Sequence, residues 1–487
     1  MSKNTLIPLF KHQRKIVDTL PDKKLLVWGT GTGKSRASLA WGVEKAISLG
    51  DNVDVERGIL IVCPKHLKEK WKTEWLGINH LESSDLRQQM LDDKNVMIMS
   101  KEEFRRDWNL IDKYNSVIFD EAHYFAGIKS QMSKSALKYL KKHQIKNVLG
   151  LTATPYLSSP MNIYVLGQIM GKGKEYEWSY QWFMQNFYDQ VWMGQRQVPV
   201  VKKGIDHKLK MKIREISDIV DMKDCVDLPE DNTEVEYFDM TTDQKKAIKN
   251  LKDIQHITRW TKTHQICGGH LKGDAYNPDT EVKADKLTRV LELVAENRKS
   301  IVVCRYVGEI EMIEREIVQS SDEALQNKKV IVITGDVKDK QKVIDEANDA
   351  SDCVILVSAA CSEGWEAPTF PTMIFYSYDF SLKNHIQMRG RIQRINAVQQ
   401  CNYVSLIVKD SIDHDVYKNV VEKKMDFHLD MYREDEIKAD DLSDHYIANG
   451  WKPYKDGITL AFTTTNGTSP RFLIKKDNNG NQWVKEA

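Results

Sequence analysis

The 487-residue chain lacks the features that mark membrane, disulfide-stapled and charge-driven proteins. No apolar run is long enough to span a bilayer, and the start, MSKNTLIPLFKHQRK, lacks the unbroken hydrophobic stretch of a secretion signal. The expectation is a cytoplasmic protein with no membrane partner. Its seven cysteines, scattered from Cys63 to Cys401, include no Cys-x-x-Cys pair, which argues against a disulfide framework and for reduced core thiols. Charge of one sign is also missing: 71 Lys and Arg stand against 70 Asp and Glu, so nucleic-acid binding has to come from a local groove. Internal repeats and low-complexity tracts are absent as well.

What is present is a soluble, globular composition, 41% hydrophobic and 29% charged, in a chain too long for one ordinary core. Short apolar runs alternate with helical patterns, the mark of parallel α/β architecture, and they do so twice. The first set is Lys24 to Trp28, Gly58 to Cys63, Asn95 to Met99, Ser116 to Phe119 and Asn147 to Leu151. The second is Ser300 to Cys304, Lys329 to Thr334, Cys353 to Ser358, Met373 to Tyr376 and Cys401 to Val408. Two similar open sheets flanked by helices are therefore expected.

Residues 156–290 read as mainly helical and irregular. Aromatic residues crowd from Tyr176 to Trp192, and packing in a helical core is the expected role, ahead of stacking on bases. The basic stretch Lys202 to Arg214 reads as a solvated face before a DNA-contacting edge. HQICGGH offers His264, Cys267 and His270 but no evident fourth ligand, so a helix terminus is expected there in place of zinc. From Trp451 the pattern turns to β, in DGITLAFTT, RFLIKK and NQWVKE.

Chemistry enters at WGTGTGKS, Trp28 to Ser35. The stretch follows the strand-like KKLLVW and opens a helical pattern, as a phosphate-binding loop requires. Gly29, Gly31 and Gly33, with Thr30 and Thr32 between them, let backbone N–H groups turn toward an anion at a helix's positive end. Lys34 is expected to neutralise the β and γ phosphates, and Ser35 to offer a hydroxyl to Mg²⁺. Trp28 stands where the pattern wants glycine or alanine; it precedes the cradling amides and must find a packing pocket nearby.

VIFDEAH follows another apolar run, putting Asp120 where a carboxylate holds Mg²⁺ and Glu121 where one orients the attacking water. In QMRGRIQR, Gln387, Arg391 and Arg394 fall at i, i+4 and i+7, one stripe of a helix, while Gly390 permits close approach by another surface. Arginines on such a stripe suit the charge that develops on a transferring γ-phosphate.

Together and in this order, the motifs resemble those of superfamily 2 helicases and translocases, most nearly the Swi/Snf-type DNA translocases, over roughly residues 5–425. LFKHQ resembles the adenine-reading segment, implying a base contact for Gln13. LIVCPKHLKEKWKTEW and VMIMSKEEF resemble the first nucleic-acid motifs. LGLTATP resembles the motif coupling hydrolysis to movement, implying relay roles for Thr152 and Thr154 alongside His123. DLPE with MTTDQKKAI, then KADKL, IVVCRY, ITGD and SAACSEGWEAP, resemble the second half of the motor, with Glu366 at the nucleotide. SEGWEAP is closer to restriction-type ATPases, and Ala153 stands where the Swi/Snf group usually has glycine.

The resemblance implies two tandem RecA-like parallel-sheet lobes with ATP and Mg²⁺ between them. It implies sequence-independent DNA binding through phosphates across Lys65, Ser100, Lys101, Arg305, Thr334 and Ser358. The expected layout is a first lobe over 1–165, a helical insertion and linker over 166–235, a second lobe with a helical beginning over 236–430, and a β-rich extension over 431–487 that covers the second lobe or docks a protein partner. The expected activity is an ATP-driven motor on duplex or branched DNA in bacterial or phage replication or repair. The alternatives are a strand-separating or branch-migrating helicase on DNA or RNA, or a scaffold with a vestigial site. A small-molecule kinase is disfavoured by QMRGRIQR and the second sheet.

Overall fold

The computed structural model describes residues 9–48, 58–78, 96–156, 159–225, 231–251, 256–273, 278–337, 339–393 and 400–432, and three strands at 452–454, 472–476 and 482–486. The chain forms two compact units, Met1–Asp430 and Met431–Ala487. Among the described residues no helix is long and apolar enough to cross a membrane.

The strands in chain order are β1 (Lys23–Trp28), β2 (Ile59–Cys63), β3 (Val96–Ser100), β4 (Ser116–Asp120), β5 (Asn147–Thr152), β6 (Tyr188–Met193), β7 (Arg196–Val201), β8 (Ser217–Val220) and β9 (Asn232–Phe238). They continue with β10 (His270–Leu271), β11 (Thr280–Glu281), β12 (Lys299–Cys304), β13 (Lys329–Ile333), β14 (Cys353–Ser358), β15 (Thr372–Phe375) and β16 (Asn402–Val408). Two six-stranded sheets result, ordered β3-β2-β4-β5-β1-β8 and β13-β14-β12-β15-β16-β9. Every pairing within them is parallel. ILIVC of β2 and CVILVS of β14 are buried at every position, as parallel strands covered by helices on both faces must be. Each Val, Leu or Ile side chain among them contributes roughly 1.5–3 kcal/mol on leaving water.

The ten expected strands are present, and the expected two-lobed α/β fold is the fold observed. The sixth strand of each sheet was not anticipated. SDIV of β8 pairs with β1, Leu25 opposite Ser217, and NTEVEYF of β9 pairs with β16. Both are edge strands, short or half polar, because an edge needs less continuous apolar surface than a central strand. The expectation of a helical and irregular middle is corrected on this point, and again by the antiparallel hairpin β6–β7.

The aromatic crowd divides. Trp178, Trp182, Phe183 and Phe187 are buried, whereas Trp192 on β6 is exposed. The basic stretch divides: in the helix Asp206–Ile216, Lys210 and Lys212 are buried, Lys210 paired with Asp430 at 2.9 Å and Lys212 with Glu177 and Glu215 at 2.9 Å, while Lys203 and His207 are exposed as a solvated face would have them.

Under the second sheet lies a buried ionic network. The Lys286 ammonium of KADKL donates to Tyr376 O at 2.8 Å and to Asp413 Oδ2 at 3.0 Å, with both side chains wholly buried. Burial alone would push Asp413 up, but Lys286 and His264 outweigh it and hold the carboxyl at about 2. His264 Nδ1 lies 3.1 Å from the Tyr306 hydroxyl, and His270 is 3.3 Å from Asp279. No grouping of His, Cys, Asp and Glu suited to a metal occurs among the described residues.

The second unit contains an antiparallel sheet, ordered β17-β19-β18, of β17 (Lys452–Tyr454), β18 (Phe472–Lys476) and β19 (Gln482–Glu486). RFLIKK and NQWVKE supply β18 and β19, while DGITLAFTT lies outside the described residues.

Candidate active site

Parallel sheets present their loops at the C-terminal strand ends, and the expected site residues lie there. WGTGTGKS joins β1 to the helix Lys34–Ile47. Gly31 and Gly33 take φ of 84° and 77°, left-handed values that favour glycine, and this turn brings the helix's first N–H groups to the loop. Thr32 Oγ1 donates to Gly29 O at 2.8 Å, and the Lys34 ammonium donates to Trp28 O at 2.8 Å and Gly29 O at 2.9 Å. The lysine thus holds the loop from inside.

Trp28 has the packing pocket it needs. Its indole is wholly buried, donates to Asp218 Oδ2 on β8 at 2.9 Å, and meets His12 edge-on at 4.8 Å. Gln13 braces the loop from the helix Lys11–Thr19: its amide nitrogen donates to Thr32 O at 3.0 Å and Gly33 O at 3.3 Å, and its amide oxygen accepts from Phe10 N at 3.0 Å.

Asp120 ends β4. Its Oδ2 accepts from the Trp71 indole at 2.8 Å and its Oδ1 from the Glu121 amide at 2.9 Å. Burial, and then the charge of Glu121, push Asp120 above the ordinary carboxylate range. Burial also acts upward on Glu121, but His123 outweighs it and holds that carboxyl below its ordinary value. Glu121 has φ of 48°, a left-handed conformation uncommon for a side chain of this size. His123 Nδ1 lies 3.1 Å from Glu121 Oε2 and 3.2 Å from Thr152 Oγ1, which in turn accepts from Thr154 N at 3.0 Å. Glu121, His123, Thr152 and Thr154 therefore form one connected chain.

From the second sheet, Arg391 is buried, donating from Nε to Gln387 O at 3.0 Å and from Nη1 to Trp365 O at 2.6 Å. A cleft of about 810 Å³ is lined by Gln13, Thr30, Gly31, Gly33, Lys34, Ser35, Asp120 and Glu121 on one side and by Glu366 and Arg391 on the other. Gly29, Thr32 and Gln387 are outside this lining; Gln387 is buried, its amide oxygen accepting from Ser362 at 3.2 Å. Arg394 lies outside the described residues, as does DLPE from Asp227.

Several cleft residues were not anticipated individually. Phe10 offers an aromatic ring at the rim, Trp71 grips Asp120, and Gln341 accepts from the Glu366 amide at 3.1 Å. Beside the cleft the two sheets meet in a polar seam. Tyr124 donates to Glu363 at 2.9 Å, Lys383 pairs with Glu363 and donates to the Tyr124 hydroxyl at 2.9 Å, and Lys70 reaches Glu366 at 3.1 Å. Burial pushes Glu363 up, but Lys383 and Tyr124 outweigh it and hold the carboxyl at about 2. At Gly390 the approach is closest: a Cβ there would stand 2.3 Å from Thr30 Oγ1. Trp71 and Lys70 had a signal, standing within the motif LIVCPKHLKEKWKTEW, as had Glu363 and Glu366 within SAACSEGWEAP; Tyr124 and Lys383 had none.

The residues expected at nucleic acid share the same strand ends. Lys65 follows β2 and is exposed. Ser100 caps the helix Lys101–Asp107, accepting from Glu103 N at 3.1 Å, and the Lys101 ammonium sits 3.0 Å over the Tyr124 ring. Arg305 follows β12 with its guanidinium 4.5 Å over Phe380, Thr334 follows β13 and Ser358 ends β14, on three neighbouring strands.

Two parallel lobes meeting over a phosphate loop, with an arginine from the far lobe, define the nucleotide-driven motor ATPases. Residues 6–304 match the SNF2-related domain and residues 282–396 the helicase conserved C-terminal domain. The first match spans more than half of the chain, which belongs to the SNF2-related family of superfamily 2. It is an ATP-hydrolysing, nucleic-acid-dependent helicase or translocase. Among solved structures it is similar to the SWI2/SNF2 ATPase core of Sulfolobus solfataricus in complex with dsDNA, at 18% identity and a TM-score of 0.38, over 88% of this chain and 94% of that one. No curated protein matches.

Proposed function

We propose that the protein hydrolyses ATP to translocate on DNA, duplex or branched, and so remodels or unwinds it. The observation that carries this reading is the single cleft lined by Lys34, Asp120 and Glu121 from one lobe and Arg391 from the other. A triphosphate held there ties chemistry to the relative position of the lobes, because charge on its terminal group is met from both sides only when they close.

In this reading Lys34 exchanges the Trp28 and Gly29 carbonyls for the β and γ phosphates. Glu121, kept ionised by His123, accepts the proton of the attacking water. Arg391 stabilises charge on the transferring phosphoryl group, joined by Arg394. Gln13 and Glu366 border the nucleotide. The chain from Glu121 through His123 and Thr152 to Thr154 relays the state of the γ-phosphate away from the cleft. The Asp120 carboxylate and the Ser35 hydroxyl are oxygen donors suited to a hard divalent cation, and the upward push on Asp120 is what such a cation would relieve. Mg²⁺ held by these two oxygens would neutralise phosphate charge. DNA lies across Lys65, Ser100, Lys101, Arg305, Thr334 and Ser358, held by its phosphates without base identity.

The test is steady-state ATPase activity with duplex, forked, four-way-junction and single-stranded DNA and with RNA, using Lys34→Ala and Glu121→Gln as controls. Stimulation by DNA, greatest on duplex or branched forms and lost in both variants, is expected. Hydrolysis indifferent to every nucleic acid would refute the reading.

A further inference from the structure

The hairpin β6–β7 has no part in the cleft. Its six-residue strands reach about 20 Å at roughly 3.3 Å per residue. Two-stranded hairpins are marginal in water unless something covers them, yet both faces of this one are open. Trp192 is 66% exposed, Met193 58% and Val191 42%, with Val200 and Val201 also exposed. Large apolar side chains clustered at the end of a projecting element mark a binding surface.

Three features say what covers it. Between Tyr188 and Lys203 the only acid is Asp189, against Arg196, Lys202 and Lys203, so the element is net basic. The root is fixed beside the relay: the Tyr188 hydroxyl bonds Ser159, the N-cap of the helix Pro160–Ile169, five residues past Thr154. It therefore springs from the same end of the first sheet as Lys65 and Lys101. Pro199 interrupts the donor series of β7, as in edges guarded against addition of a protein strand. An indole near the tip, a basic stem and polar Gln190, Gln195 and Gln197 fit stacking on bases and contact with phosphates.

We infer that this hairpin is a pin that engages DNA where duplex gives way to single strands, with Trp192 stacking on the exposed base pair or the first unpaired base. The inference rests on the DNA-motor reading above and narrows its substrate to branched or forked molecules. A continuous duplex exposes no base face, so the pin adds affinity only at a junction.

The experiment compares wild type, Trp192→Ala and Trp192→Phe in the full-length protein. Affinities for a fork and for a covalently closed duplex minicircle, which has no exposed base face, are read by fluorescence anisotropy, with ATPase activity on each. Wild type should prefer the fork, and Trp192→Ala should lose about tenfold in fork affinity, the scale of one base–aromatic stack, with Phe retaining most of it. Duplex affinity and duplex-stimulated hydrolysis should be unchanged in both variants. Equal fork preference in wild type and Trp192→Ala would overturn the pin while leaving the motor intact. So would unchanged DNA binding with a changed oligomeric state, which assigns the hairpin to a second copy of the chain. Absence of stimulation in wild type by any nucleic acid would overturn the motor and the pin together.

Discussion

Replacing Gly390 by alanine tests whether the lobes close as the seam indicates. Gly390 has φ of −66° and ψ of 0°, ordinary right-handed values, so alanine fits its backbone and does not strain the second lobe. The cost falls across the interface instead. The added methyl would meet Thr30 Oγ1 at 2.3 Å, Cβ at 2.9 Å and Cγ2 at 3.2 Å, so the phosphate loop and the second lobe must part by several tenths of an ångström. Overpacking of this kind costs about 1–3 kcal/mol, which, borne only by the closed state, lowers kcat by ~5- to ~150-fold. A fluorescent ATP analogue should still bind, because Lys34 and the loop amides belong to one lobe, and Tm should hold. Thr30→Gly removes all three clashing atoms, so the pair Gly390→Ala with Thr30→Gly should recover most of the loss, a coupling readable from a double-mutant cycle. A Gly390→Ala enzyme within twofold of wild-type kcat, or one whose loss tracks a fall in Tm, would refute closure at this point.

Restoring the usual glycine at Trp28 should harm the protein, because the buried indole and its bond to Asp218 vanish with nothing to fill the space. About 3–5 kcal/mol of stability should go, against about 1 kcal/mol for Trp28→Phe, both measured by urea unfolding. Lys286→Met strips buried Asp413 of the ammonium that chiefly balances its charge, leaving His264 at 3.4 Å, and should cost ~3–5 kcal/mol, while adding Asp413→Leu should return part of it, since the poorly compensated charge disappears too. Glu363 carries a pH signature. Its folded value of about 2 lies below the ordinary ~4.3, so its contribution is full above ~4.3 and is lost as pH falls through about 2. The Tm gap between wild type and Glu363→Gln should therefore be widest near neutrality and shrink steadily from pH 5 downward; a constant gap would show that the seam holds no such charge.

Much of this molecule is written locally. A phosphate loop needs only a strand, a few glycines and a helix in succession, so WGTGTGKS could be placed without knowing its neighbours. The central strands announce themselves because a strand covered on both faces must be apolar along its whole length, as ILIVC and CVILVS are. The ends of the sheets do not: β8 and β9 are edges, their sequences satisfy a weaker demand, and both were read as part of a helical middle. The buried lysines of Asp206–Ile216 misled for a related reason. A charge run looks solvated until the carboxylates of Glu177 and Asp430 are known to face it.

The order of the motifs, the two sheets and the chemistry of Lys34, Asp120 and Glu121 follow from residues close together in the chain, where spacing alone dictates geometry. Tertiary structure decided everything that joins distant segments: the Trp28 indole on Asp218, Trp71 on Asp120, Tyr124 and Lys383 on Glu363, Gly390 against Thr30, and which aromatic residues of Tyr176 to Trp192 are buried and which stand in water. Such contacts depend on where distant segments, and at the seam the two lobes, come to rest, and that position is set by the packing of whole surfaces, which no short stretch of sequence encodes.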